Sequence, residues 1–220
     1  MIILIGGEKG GTGKTTVATN LVSALASAGR DVLLVDADRQ GSSKWWSDRR
    51  EEAISLAQVK CVQLSGKLAR AIRDLEKRYD DVIIDCGGQD SPELRSAMLV
   101  AQMMFIPLQA SIYDLVTLQH VAELVEAAQS SNPNLRAHVF LSKAPTNQTS
   151  EEKSALKAVQ SALPENIGLL GTVIHDRRAF RDAAKFGYGV LEWQDAKAKE
   201  EFQAFSAEIL KCAGAETEAA

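Results

Sequence analysis

The stretch IGGEKGGTGKTT, Ile5 to Thr16, follows the apolar run MIILI and leads into the helix-period segment KTTVATNLVSALASAG. Five glycines and two lysines in twelve residues leave few uses for such a loop. A linker can use the glycines but has no need of lysines at fixed offsets. Glycines let successive backbone N–H groups curl around an anion, and the helix that follows adds the positive end of its dipole. Polyphosphate is the ligand that needs this combination. Lys14 is placed to reach the β- and γ-phosphates, and Thr15 to offer its hydroxyl to Mg²⁺. The generic G-x-x-x-x-G-K-[ST] pattern has glycine at position 8, where this chain has Glu8.

Downstream, short apolar runs alternate with longer helix-period segments. DVLLVD, DVIIDC, MMFIPL, RAHVFLS and IGLLGTVI read as strands, and their continuous rather than alternating apolarity predicts a sheet covered on both faces. GKLARAIRDLEKRY, DLVTLQHVAELVEAAQSS and SEEKSALKAVQSAL read as helices, with two more near 178–185 and 196–211. Gly29 stands where a helix C-cap favours it. This order predicts an α/β fold, a doubly wound, mostly parallel sheet flanked by helices. Ligands of such sheets sit beyond the carboxyl ends of the strands. Residues 1–211 are expected to form one domain and residues 212–220 a frayed tail.

With 220 residues and a net charge of -4, a surface basic all over is excluded, although a local basic patch is not. No run approaches the roughly 18 apolar residues of a membrane span, and no leader pattern opens the chain. Cys61, Cys86 and Cys212 lack disulfide or metal spacing, which predicts a cytoplasmic protein. His120, His138 and His175 share no ligand spacing and are assigned no chemistry. Trp45 and Trp46 are expected to pack, and Cys86 to be an inert buried thiol.

Carboxylates close two of the apolar runs: Asp36 and Asp38 in VLLVDADRQG, and Asp85 in DVIIDCGG. Mg²⁺ takes one or two protein oxygens and keeps several waters, so strand-end aspartates suit it.

The segment KGGTGKTT resembles the deviant Walker A box of the ParA/MinD family of ATPases, with Lys9 in the place of its signature lysine. DADRQG is similar to that family's D-x-D-P-Q-G switch, and DVIIDCGG to its Walker B strand. FIPLQASIYDLVTL and RRAFRDAAKFGYGVLEW resemble two later family segments. The resemblance implies the P-loop NTPase fold and slow, partner-stimulated ATP hydrolysis with Mg²⁺. It also implies a homodimer in the ATP state, in which Lys9 reaches the phosphates bound by the other subunit, as an arginine finger does. Gly10, Gly11, Thr12, Gly13, Lys14, Thr15 and Thr16 would hold the phosphates, and Asp38 would orient the attacking water. Thr15, Asp36 and Asp85 would serve the metal, and Lys143 and Pro145 the adenine. Arg39 replaces the family's usual proline, and Gly87-Gly88 replace Pro-Pro or Pro-Ala, which predicts a looser second switch. Glu8 is expected to turn from the phosphates or to pair with a basic group.

Short members of the family bind double-stranded DNA without sequence preference as ATP dimers. They release it after hydrolysis stimulated by a ParB-like partner, and so position a plasmid or other cargo over the nucleoid. Doubled phosphate contacts in a dimer steepen affinity. Arg177, Arg178, Arg181, Lys185, Lys197 and Lys199 form the candidate basic face, interleaved with Asp182, Glu200 and Glu201. Two rival functions share the fold. A MinD-like membrane-cycling ATPase needs a basic amphipathic end, whereas EEFQAFSAEILKCAGAETEAA is acidic and small. A metabolic enzyme, such as an iron-sulfur reductase, needs a second suitably placed cysteine or an added substrate constellation, and neither is evident.

Overall fold

The computed structural model describes residues 1–109, 112–147 and 149–214; of residues 112–116 and 149–151 it describes the backbone alone. The chain opens with β1 (Ile2–Ile5), α1 (Lys14–Ser27), β2 (Val32–Ala37) and α2 (Ser42–Glu51). It continues through β3 (Lys60–Gln63), α3 (Ala69–Glu76), β4 (Asp81–Cys86) and α4 (Pro92–Met98). Next come β5 (Met103–Leu108), α5 (Ile112–Gln129), β6 (Arg136–Ala144) and α6 (Thr149–Ala162). The described chain closes with β7 (Ile167–Leu169), β8 (Ile174–His175), α7 (Arg178–Ala184) and α8 (Ala196–Cys212). The sheet runs β3-β2-β4-β1-β5-β6-β7, with β8 also paired to β6, and the strand pairs among the described residues are parallel. Helices cover both faces, as the doubly wound reading expects.

The two cores explain why the strands read as unbroken apolar runs. Successive strand residues point to opposite faces. Ile2 and Leu4, Leu33 and Val35, Val82 and Ile84 therefore enter the core shared with α3 to α6. Ile3 and Ile5, Val32 and Leu34, and Ile83 enter the other, with α1, α2, α7 and α8. Each fully buried branched side chain contributes roughly 1.5–3 kcal/mol, so neither alternate set can turn polar. α1 packs Val17, Leu21, Val22 and Leu25 against the sheet. It ends in a Schellman turn: Gly29 (φ 82) donates to Ala26 O and Arg30 donates to Leu25 O.

Three elements have no counterpart in the sequence reading. α2 buries Ser43, Trp46, Ser47 and Arg50, which is helical spacing occupied mostly by polar residues. A search for apolar periodicity passes over it. Arg50 is fully buried, donating to Ala57 O and Gly187 O and forming a two-pronged pair with Glu192 (2.6 and 2.8 Å). β3 is a short edge strand with exposed ends. α4 has a readable start that was missed: Ser91 Oγ accepts from Leu94 N, and Pro92 holds the first helical position. Trp46 is buried as expected, whereas Trp45 is half exposed. α8 runs through Cys212, and residues 215–220 of the expected tail lie outside the described residues.

Candidate nucleotide site

The carboxyl ends of β1, β2 and β4 meet at one level, because the strands pair in register with Ile5 opposite Asp85 and Asp36 opposite Asp85. Above them opens a cleft of 660 Å³, a volume suited to a nucleotide, walled by residues 10–16, 37–40, 87–93 and Lys143. The loop after β1 curls over this end of the sheet. Gly13 stands at the N-cap of α1 with φ 96, a left-handed conformation that strains any side chain. The Nζ of Lys14 donates to Lys9 O at 2.7 Å, so the loop wraps its own lysine. Burial lowers the pKa of that ammonium, against the opposing pull of Asp85 and Asp38. Lys9 is half-buried at the base of the same loop.

Asp85 is the penultimate residue of β4 and is fully buried. Its Oδ2 accepts from Thr15 Oγ1 and from Ser43 Oγ, each at 2.7 Å. Its Oδ1 has no hydrogen-bond partner among the described residues. Burial pushes this carboxyl up to about 7, with neighbouring Asp36 adding to the rise and the two hydroxyls and Lys14 opposing it. An orphaned buried carboxylate oxygen beside a threonine hydroxyl fits the oxygen-donor set of Mg²⁺. Ser43 was not singled out from the sequence. Its signal was available, as a hydroxyl two residues beyond Gly41 in the switch segment.

Asp36, expected in the metal shell, has both oxygens engaged by backbone amides: Asp38 N at 3.1 Å and Lys44 N at 2.8 Å. It therefore holds the switch loop and caps α2, one step behind Asp85. Burial raises its pKa. The Asp38 carboxylate accepts from Gln40 N and lies against Gly87, where a Cβ would come within 3.3 Å of it.

The second switch, expected to be looser, packs closely at Gly88. A Cβ on Gly88 would stand 2.6 Å from Gly10 N and 2.7 Å from Lys9 C, so this loop lies directly on the phosphate-loop backbone. Glu8 behaves as expected, its Oε1 3.1 Å from His120 Nε2. Cys86 is buried and its thiol pKa is pushed up by that burial.

Lys143 takes φ 54, rare for a residue with a side chain, and lies beside Gly13. It borders both the cleft and a 70 Å³ cavity that includes Thr16, Ser142, Ile174, Phe180 and Arg181. The buried Ser142 Oγ in that cavity has no partner among the described residues and was missed from sequence. Pro145 is exposed and borders neither space.

The candidate basic face is largely neutralised within the chain. Arg177 pairs with Glu201 (2.7 Å), Arg178 with Asp182 (2.9 Å), Arg181 with Asp176, and Lys185 with Asp182 (2.8 Å). Lys197 is exposed and Lys199 half-buried on α8. Among the described residues no helix is long and apolar enough to cross a membrane.

Comparison with known proteins gives the same answer as the geometry. Maintenance of carboxysome distribution protein A of Halothiobacillus neapolitanus is 31% identical over 194 residues, covering 84% of this chain and 83% of that protein. Its namesake in Gloeobacter kilaueensis is 31% identical over 202 residues, covering 90% and 88%. The ATP complex of a D38A variant of Cyanothece McdA superimposes with a TM-score of 0.70 at 18% identity, covering 94% of this chain and 95% of that one. The CobQ/CobB/MinD/ParA nucleotide binding domain family matches residues 3–190, and the chain belongs to that family.

Proposed function

We propose that this protein is an ATPase of the positioning type, which pairs with a second copy when ATP is bound and separates after hydrolysis. One observation carries the reading. Lys14 and Thr15 of the phosphate loop and Asp38 of the first switch line one cleft, with buried Asp85 bonded to Thr15 beneath it and Lys9 O accepting from Lys14 Nζ within the loop. Residues 10–16 bind the phosphates and Lys14 neutralises them. Thr15 and Asp85 hold Mg²⁺, which supplies positive charge against the phosphate oxygens. Asp38 orients the attacking water, and Lys9 acts on the nucleotide of the partner copy. The adenine lies at the edge of the cleft beside Lys143.

The likeness to carboxysome distribution proteins favours a large protein assembly as cargo over a plasmid. The ATP dimer binds double-stranded DNA nonspecifically and so resides on the nucleoid within the cytoplasm. A ParB-like cargo protein stimulates its turnover. Size-exclusion chromatography with ATP, for wild type, Lys9→Ala and Asp38→Ala, tests the central claim. Asp38→Ala accumulates as a dimer, and Lys9→Ala loses dimer-dependent turnover. An Asp38→Ala protein that stays monomeric in saturating ATP would falsify it.

A further inference from the structure

Glu8, Asp90 and His120 come from the phosphate loop, the loop after β4 and α5, yet one ligand atom of each lies within 4.8 Å of the other two. From this geometry we infer that Glu8, Asp90 and His120 form a binding site for a divalent transition-metal ion of the Zn²⁺ class, apart from the Mg²⁺ position at Thr15 and Asp85.

Two carboxylates and one imidazole are a donor set for Zn²⁺ and its first-row neighbours. Mg²⁺ and Ca²⁺ prefer oxygen alone. A tetrahedral ion with bonds near 2.1 Å sets its ligand atoms about 3.4 Å apart. Glu8 Oε1 and His120 Nε2 are already 3.1 Å apart. The Asp90 ligand atom lies within 4.8 Å of both, and a small shift that gives up one of its two Arg95 contacts closes the gap.

The surroundings orient the ligands as metal sites require. His120 Nδ1 faces Glu123 Oε2 at 3.4 Å, so a carboxylate holds the far ring nitrogen while Nε2 turns to the site. Arg95 donates to both Asp90 oxygens at 2.6 Å, and each oxygen keeps a lone pair for a metal ion. Glu8, Asp90 and Glu123 against Arg95 leave two net negative charges in the cluster, which a divalent ion neutralises. Bound metal would tie the segment that carries Lys9 to the second switch and to α5.

The test is titration of Co²⁺ and Zn²⁺ into the whole nucleotide-free protein, with excess Mg²⁺ present to cover oxygen-only sites. The expected result is one Co²⁺ per chain, with visible d–d absorption and no thiolate charge-transfer band. His120→Ala and Glu8→Gln each weaken Zn²⁺ binding at least about tenfold, and Glu123→Gln weakens it by about the same factor through orientation. His175→Ala leaves binding unchanged. Zn²⁺ raises the melting temperature of wild type but not of His120→Ala. The site is refuted if wild type gives no d–d band, if a thiolate band appears, or if His120→Ala binds as wild type does. Equal losses in His120→Ala and His175→Ala also refute it.

Discussion

Thr15 Oγ1 lies 2.7 Å from Asp85 Oδ2, a hydrogen bond that joins the first turn of α1 to the end of β4 across 70 positions of sequence. Ser43 reaches the same oxygen from α2. One buried carboxylate therefore links the phosphate loop, the first switch and the central strands. Charge on that carboxylate is costly until a cation approaches.

The first prediction concerns pH. The Asp85 carboxyl is raised to about 7, above the value near 4 of an unfolded chain. Between those values the folded state holds a proton that the unfolded state has lost. The stabilisation is complete below pH 4 and disappears as the pH rises through 7. The nucleotide-free protein should therefore melt higher at pH 5.5 than at pH 8. Asp85→Asn should reduce that difference by roughly 1–3 kcal/mol and abolish the Mg²⁺ dependence of ATP binding. Equal pH profiles for wild type and Asp85→Asn in thermal melts would refute the assignment.

Ser43→Ala removes a donor that favours the ionised form of Asp85. Stability should fall by about 1–2 kcal/mol at pH 8, where the bond serves a charged acceptor, and by less at pH 5. Denaturant melts at the two pH values check the sign. An equal loss at both would make Ser43 a packing residue only.

Gly88→Ala inserts a Cβ 2.6 Å from Gly10 N, and both contacting groups are backbone. Overpacking of this kind costs roughly 1–3 kcal/mol and displaces the phosphate loop. ATP affinity, measured by fluorescence titration of a labelled analogue, should drop along with stability. Unchanged affinity would mean that the two loops do not bear on each other.

Arg50 is buried with its charge satisfied by Glu192, so removing one member leaves the other unpaired. Glu192→Gln or Arg50→Met should cost about 3–5 kcal/mol, which lowers the melting temperature by roughly 10 °C for a chain of this size. The double variant should recover much of that loss. Additive losses in a double-mutant cycle would show that the pair is not coupled.

Asp182 pairs with both Arg178 and Lys185. If α7 faces DNA, Asp182→Asn frees two cations, and DNA retention by the ATP-loaded protein should strengthen at low salt. Each phosphate newly contacted steepens the log–log salt slope by about 0.9. Lys185→Glu should act in the opposite direction. No change in either variant on DNA-affinity columns would move the DNA face elsewhere.

The sequence by itself determined the strand–loop–helix core of the site. A phosphate loop is local chemistry: the glycines, Lys14 and Thr15 must be neighbours in the chain to surround one anion. Strands buried on both faces are equally legible, since every residue of Ile2–Ile5 or Val32–Val35 must be apolar when each alternate set fills a different core. The aspartates at their ends stood out for the same reason. α2 did not, because its buried face carries Ser43, Ser47 and Arg50, whose partners Asp85, Val59 and Glu192 lie 42, 12 and 142 positions away. Only the folded chain decided that Asp36 serves backbone amides, that Gly88 presses on the phosphate loop, and that Arg177 meets Glu201. Glu8 and His120 carry no shared spacing, yet a loop and a helix bring them to 3.1 Å. Burial of apolar residues repeats with a local period, whereas a polar side chain is satisfied by whichever partner the sheet and helices bring within reach.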